Sequence, residues 1–237
     1  MLSTLKQILR PYKESFQVFP GFRKEPQPVY YRQSYSQEGE DLILDRIFEG
    51  KLNGFYVDVG AHHPQRFSNT YYFYLLGWNG INIDAMPGSM ATFNKSRTRD
   101  INLEIAISDH QHELTYYGFN ETALNSFSQE LATEYSKLDN FHIVFEKAIK
   151  TYTLAEILDE YLPQNQEIDF LNIDVEGIDY QVLKSNNWSK YRPKIVLVEE
   201  LHELSLDEVS ESKIVNFMQK SSYNLYCKTI NTLIFKL

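Results

Sequence analysis

Carboxylates, histidines and small polar residues stand where apolar runs of this chain end, in FYVDV-GAHHP, GINID-A, INLEIAI-SD, FLNID-VEG and IVLVE-ELH. In the first, Gly60 and Ala61 are small enough for backbone to approach a ligand, and a helix start near Ser68 and Asn69 offers free amides to a carboxylate. Asp58 can accept from a ligand amine, orient that loop, or be a strand-end carboxylate satisfied by backbone amides. Asp84, about 26 residues on, can accept both hydroxyls of a ribose or cap a helix. Ser108 and Asp109 can hydrogen-bond an adenine amino group or simply make a turn. For proton transfer the first candidate is Asp174, with Glu199, Glu200 and His202 following the next run. Glu176 reads more readily as stabilising a helix N-terminus than as catalytic. His62 and His63 are alternative bases, or packing groups of a loop.

Several chemistries are excluded by the same residues. After Gly60 the chain reads Ala61, His62, His63, Pro64, so no GxGxxG admits a pyrophosphate, and no GxxxxGK[ST] loop occurs. No His/Cys zinc spacing is present, and no metal ligand is assigned. The single cysteine, Cys227, forbids a disulfide within the chain and fits a reducing, cytoplasmic setting. A net charge of −9 repels nucleic acid on average. No apolar run reaches the roughly 18 residues that a spanning helix needs. The 17 tyrosines and 15 phenylalanines supply bulky rings with hydroxyl handles, which suits polar-ligand surfaces without naming a reaction.

Around the candidate residues, apolar runs alternate with amphipathic segments. A helix is expected from Ser36 in SQEGEDLILDRIF, then strand FYVDV, a helix from Ser68 to Gly77, strand GINID, a helix opened by Pro87, and strand INLEIAI. Thr153 and Glu156 stand in capping-box spacing before strand EIDFLNID, a further helix, and strand PKIVLVE. This alternation predicts an α/β fold with a mostly parallel sheet and helices on both faces. NLYCKT and TLIFKL, separated only by Ile230 and Asn231, must form an antiparallel hairpin. Residues 1–33, broken by four prolines, read as an N-terminal helix and extended arm, able to dock on a membrane surface or partner. Residues 34–237 form the main domain. The stretch about 109–150 exceeds what one βα unit needs and is the candidate substrate cap, where Asn125 and Ser126 are placed to bind hydroxyls.

SQEGEDLIL, GFYVDVGAHHPQRFSNTYYFYLLGWNGINID, IDFLNIDVEGIDYQVLKS and RPKIVLVE together resemble the FkbM family of S-adenosylmethionine-dependent methyltransferases, over roughly residues 34–200. The resemblance implies a Rossmann-like class I methyltransferase fold, a seven-stranded sheet closed by an antiparallel C-terminal hairpin. It implies S-adenosylmethionine held by Gln37, Asp58, Gly60, Ala61, Ser68, Asn69, Asp84 and Ser108 or Asp109. It also implies methylation of a hydroxyl on a sugar, glycan or related natural product, as in polysaccharide biosynthesis, with Asp174, Glu199, His202 or His62 catalytic. Carboxylates at those strand ends resemble divalent-ion sites of some related sugar methyltransferases, so Mg2+ is a cofactor left open. The chain departs from the family at His62-His63 and at Asp84-Ala85-Met86-Pro87, which sustains an alternative, a catalytically degenerate scaffold or partner-binding protein. Oligomeric state is not legible.

Overall fold

The computed structural model describes residues 32–201 and 204–237, so nearly all of the expected N-terminal arm, and His202, lie outside the described residues. Helix α1 (Glu40–Phe48) precedes strand β1 (Phe55–Val59), α2 (Tyr71–Leu75), β2 (Asn79–Asp84), α3 (Met90–Ser96) and β3 (Ile101–Glu104). Next come β4 (Ala106–Ile107), β5 (Glu113–Phe119), α4 (Gln129–Tyr135) and β6 (Ile143–Tyr152). The chain closes with α5 (Leu154–Tyr161), β7 (Phe170–Ile173), α6 (Asp179–Lys184), β8 (Ile195–Glu199), α7 (Lys213–Lys220), β9 (Asn224–Lys228) and β10 (Thr232–Lys236). Seven strands form one sheet in the order β3-β2-β1-β7-β8-β10-β9, parallel except for β10, which runs antiparallel to both neighbours. This is the class I methyltransferase sheet that the resemblance implied.

The central strands β1, β7 and β8 are buried along their length, which is why they read as apolar runs in place of alternating ones. Period-2 geometry still divides them. Val57, Val59, Leu171, Ile173, Val196 and Val198 face the layer of α5, α6 and α7, whereas Tyr56, Phe170, Ile195 and Leu197 face α1 and α2. The capping box at Thr153 forms as expected, both side-chain bonds being present.

Two local expectations are corrected. INLEIAI is not one strand: the Ile105 amide bonds the Asp84 carbonyl at 3.0 Å, and the chain then leaves the main sheet so that β4 pairs with β6. The first helix starts at Glu40 rather than Ser36. Buried Asp41 accepts from the Tyr35 amide (2.7 Å), the Ser34 hydroxyl (2.6 Å) and the Ser36 hydroxyl (2.9 Å), holding 34–39 as a folded turn. That turn is fastened to the C-terminal hairpin, where Glu38 accepts from the backbone and side-chain amides of Asn231 and Glu40 accepts from the Thr232 hydroxyl at 2.9 Å. Residues 106–152 build a separate three-stranded sheet, β4-β6-β5, with α4 between the long antiparallel strands β5 and β6.

Candidate active site

At the carboxyl ends of β1, β2 and β7, where strand order reverses, lies a cleft whose lining includes Gln37, Asp58, Gly60, Ala61, His62, Asn69, Asp84, Asn125 and Asp174. Its floor rests on polar residues in register across four strands: Asn102 of β3 beside Asn82 of β2, then Asp58 of β1, then Asn172 of β7. Buried polar groups need partners. Asp58 accepts from the Thr70 hydroxyl and the Asn172 amide, each at 2.9 Å, and the Asn69 amide donates to Asn172 at 3.0 Å. Those partners are side chains, not the backbone amides that local pattern allowed. Burial raises the Asp58 pKa, opposed by these bonds and by the charge of Arg97.

Arg97, at the end of α3, is fully buried, a feature that its position in FNKSRTRD does not reveal. Its guanidinium donates to Asp100 (2.9 Å), the Pro64 carbonyl (2.9 Å), the Tyr56 hydroxyl (2.8 Å) and the Thr70 hydroxyl (3.0 Å). Asp100 in turn accepts from the Gly80 amide and the Asn82 side chain. One buried ion pair therefore ties β1, β2 and the loop after β1 together beneath the cleft.

That loop turns back over β2. The amides of Gly60 and Ala61 both bond the Ile83 carbonyl. Gly60 has φ 87°, and a Cβ there would collide with the carbonyl oxygen of Asp174. The glycine is thus required by the close passage of the segment after β7, a reason distinct from the ligand approach read from the sequence. His62, also at positive φ, donates its amide to one oxygen of Asp84 at 2.8 Å, while the Met86 amide donates to the other at 2.8 Å. Each carboxylate oxygen keeps a further lone pair for a ligand hydroxyl.

The His62 ring is within hydrogen-bond distance of the Thr122 hydroxyl (3.0 Å), and burial, with the charges of Arg66 and His63, pushes its pKa down to about 4. His63 accepts from the Gln65 and Arg66 amides at Nδ1 and so caps a turn. Tyr116, Thr122, Asn125 and Phe127, from the segment between β4 and β6, cover the cleft. Asn125 Oδ1 already accepts from the Phe119 amide at 2.8 Å.

Beside Asp174, Glu176 and Glu199 bring one carboxylate oxygen each within 4.8 Å of the others. Desolvation, then repulsion from Asp179, Glu40 and Asp58, raises the pKa of Asp174 to about 8, and desolvation with the charges of Asp174 and Asp179 pushes Glu176 and Glu199 well above the usual carboxylate range. Asp179 rises to about 6, chiefly through desolvation, against the pull of the Val175 and Gly177 amides. Glu199 Oε2 is buried and has no hydrogen-bond partner among the described residues. Carboxylates this close share protons or hold a hard cation.

Other sequence candidates sit elsewhere. Ser68 is buried and its hydroxyl accepts from the Tyr71 amide, opening α2; it does not line the cleft. Ser126 donates to the Glu176 carbonyl (2.5 Å) and accepts from the Ser128 amide (2.8 Å), so its hydroxyl is spent on joining two loops. Ser108 and Asp109 follow β4, off the main sheet, and Asp109 pairs with His110 and Lys184. Glu200 accepts from Ser212 at the start of α7. Missed from the sequence were Asn172 and Arg97; for Asn172 a lone asparagine inside the apolar run FLNI was the available signal.

None of the curated proteins compared with the chain matches it. A family described as the Methyltransferase FkbM domain matches residues 58–225, a span running from Asp58 of the cleft into β9. By that match over most of its length, and on the sheet that carries the cleft, the chain belongs to the FkbM methyltransferase family.

Proposed function

We propose that this methyltransferase uses S-adenosylmethionine to methylate a hydroxyl of a sugar, glycan or related natural product. The observation that carries the reading is the pairing, in one cleft, of an amide-fixed Asp84 with Asp174, a buried carboxyl whose raised pKa makes its ionised form a strong base. When bound, the cofactor supplies a sulfonium methyl group. The residues present fit it: Asp84 keeps two outward lone pairs for ribose hydroxyls, Asn69 and Gln37 offer amides, and Met86, Tyr116 and Phe127 offer apolar and aromatic surface for a base. The carboxylates favour a cationic ligand electrostatically.

Asp174 is the proposed general base. With a pKa near 8, Asp174 is ionised in a minor fraction at neutral pH, and that fraction is a far stronger base than an ordinary carboxylate near 4, so activity should rise with pH toward 8. Glu199, one of whose carboxylate oxygens lies within 4.8 Å of one of Asp174's, is proposed to share its proton. His62 is a poorer base, its pKa pushed down to about 4 and its ring engaged by Thr122, and is assigned to holding the loop. The segment between β4 and β6 is proposed as the acceptor cover, its aromatic rings suited to stacking on sugar faces. Incubation with methyl-labelled S-adenosylmethionine and a glycan extract tests the reading: label on a hydroxyl oxygen is expected, abolished in D174N. Cofactor binding without transfer to any hydroxyl acceptor would contradict it.

A further inference from the structure

Asp174, Glu176 and Glu199 stand between two cavities. Asp174 and Glu176 line the cleft, whereas Glu199 lines a second cavity of about 200 Å3, walled by α4, the start of α6, the end of β8 and the start of α7. One oxygen of each carboxyl lies within 4.8 Å of the other two, so a single point exists within about 2.8 Å of all three, the length of a charge-assisted N–H···O bond. Donors are scarce around that point. Glu176 accepts only weakly, from the Tyr135 hydroxyl at 3.3 Å. Glu199 is 8% exposed, and its Oε2 has no hydrogen-bond partner among the described residues. Nor does any lysine or arginine among the described residues pair with one of the three carboxyls. Buried carboxylate oxygens rarely go without a donor.

A primary ammonium matches this arrangement, because it brings three N–H donors and one positive charge to a single point. A hard divalent cation draws on six or more oxygens. The neighbouring carboxylates are committed elsewhere: Asp179 accepts from the Val175 and Gly177 amides, each at 2.9 Å, and Glu200 from the Ser212 hydroxyl at 2.9 Å. The second cavity carries the same charge preference. Glu130 and Glu134 of α4 join Asp179, Glu199 and Glu200 on its wall, against one cation, Lys213, whose ammonium lies 5.2 Å from the centroid of the Tyr180 ring. A wall so charged concentrates cationic ligands, and the apolar side chains of Leu131 and Ile214 beside it suit the carbon frame of an organic one.

We propose that the methyl acceptor carries a primary ammonium on the carbon next to the methylated hydroxyl, as a 2-amino sugar does, and that Asp174, Glu176 and Glu199 hold that ammonium. The assignment rests on the O-methylation proposed above and names its substrate class. On adjacent carbons the two groups stand about one hydrogen-bond length apart, so seating the ammonium among the carboxyls brings the hydroxyl to Asp174. In the transfer, the acceptor oxygen gains the methyl group as the sulfonium–methyl bond breaks, its proton passes to Asp174, and the ammonium keeps its own protons.

Calorimetric titration of the full chain with glucosamine, N-acetylglucosamine and glucose at neutral pH tests the assignment. The wild type should bind glucosamine tenfold or more tightly than either of the others, which lack the positive charge. E199Q should remove that preference, and K213M, which deletes the competing cation, should strengthen glucosamine binding; melting curves show that each variant is folded. S-adenosylmethionine is titrated into the same samples. If the cofactor binds and the amine is not preferred, the ammonium assignment alone fails; if neither binds, the O-methylation reading fails with it. An E199Q variant that keeps the preference, a K213M variant that binds glucosamine more weakly, or MgCl2 that displaces glucosamine at equal concentration would each overturn the proposal.

Discussion

Replacing Arg97 by methionine removes the cation on which the cleft floor is built. Its side chain is 0% exposed, as is that of its partner Asp100. The wild-type guanidinium makes four hydrogen bonds, at 2.8–3.0 Å, to Asp100, Pro64, Tyr56 and Thr70. Hydrogen bonds to a charged group contribute about 1.5–3 kcal/mol each, but burying the cation offsets much of that sum. Breaking a buried pair by removing one partner leaves a loss of about 3–5 kcal/mol, and Asp100 stays behind with three of its donors: the Gly80 amide, the Asn82 amide and the Tyr56 hydroxyl. For a chain of this size that corresponds to a melting point lower by roughly 6–20 °C. Urea denaturation of R97M, D100N and the double variant measures it. The double variant should cost clearly less than the two single losses added, since removing both members leaves neither charge stranded. A loss below about 1 kcal/mol in R97M, or strict additivity, would refute the view that this pair anchors the site.

Three further outcomes follow from the same geometry. G60A places a Cβ against the Asp174 carbonyl at a residue held at φ 87°, so it should lower the melting point more than alanine at exposed Gly88 does, even though Gly88 has φ 83°. Above the ordinary histidine range, Asp174, raised to about 8, still titrates. An acid whose folded pKa exceeds its unfolded one makes the native state hold more protons, so stability should fall as pH rises from about 6.5 to 8, and D174N should flatten that fall in a thermal-shift series. Below that window His62 acts oppositely: its lowered pKa makes stability rise with pH between about 4 and 6.5, and H62N, compared with wild type across that range, should remove the contribution.

The architecture was legible because each strand announces itself locally. FYVDV, NGINID and PKIVLVE are short β-branched or aromatic runs, and the two-residue gap at Ile230-Asn231 admits only a hairpin. The ends of those runs also pointed to Asp58, Gly60, Asp84 and Asp174, which the fold brings into one cleft. What stayed hidden depends on register and loop conformation. Nothing local says that Asp58, Asn82 and Asn172 fall side by side, nor that Arg97, the residue just after α3, turns inward to serve them. Ser68 and Ser126 looked like ligand hydroxyls because their partners, the Tyr71 amide and the Glu176 carbonyl, are brought near only by folded loops. INLEIAI has an unbroken strand pattern, and its division at Ile105 comes from a competing sheet in which Ala106 and Ile107 pair with Thr151 and Tyr152 of β6, far along the chain.

The cleft at the strand ends is proposed to bind S-adenosylmethionine with Asp84 on the ribose. Calorimetric titration of the wild type and of D84N with S-adenosylmethionine tests it most directly. The wild type should bind one equivalent, and D84N, with one carboxylate oxygen replaced by an amide donor, should bind tenfold or more weakly at unchanged fold. A wild type that does not bind the cofactor, or a D84N variant that binds it equally well, would contradict the account.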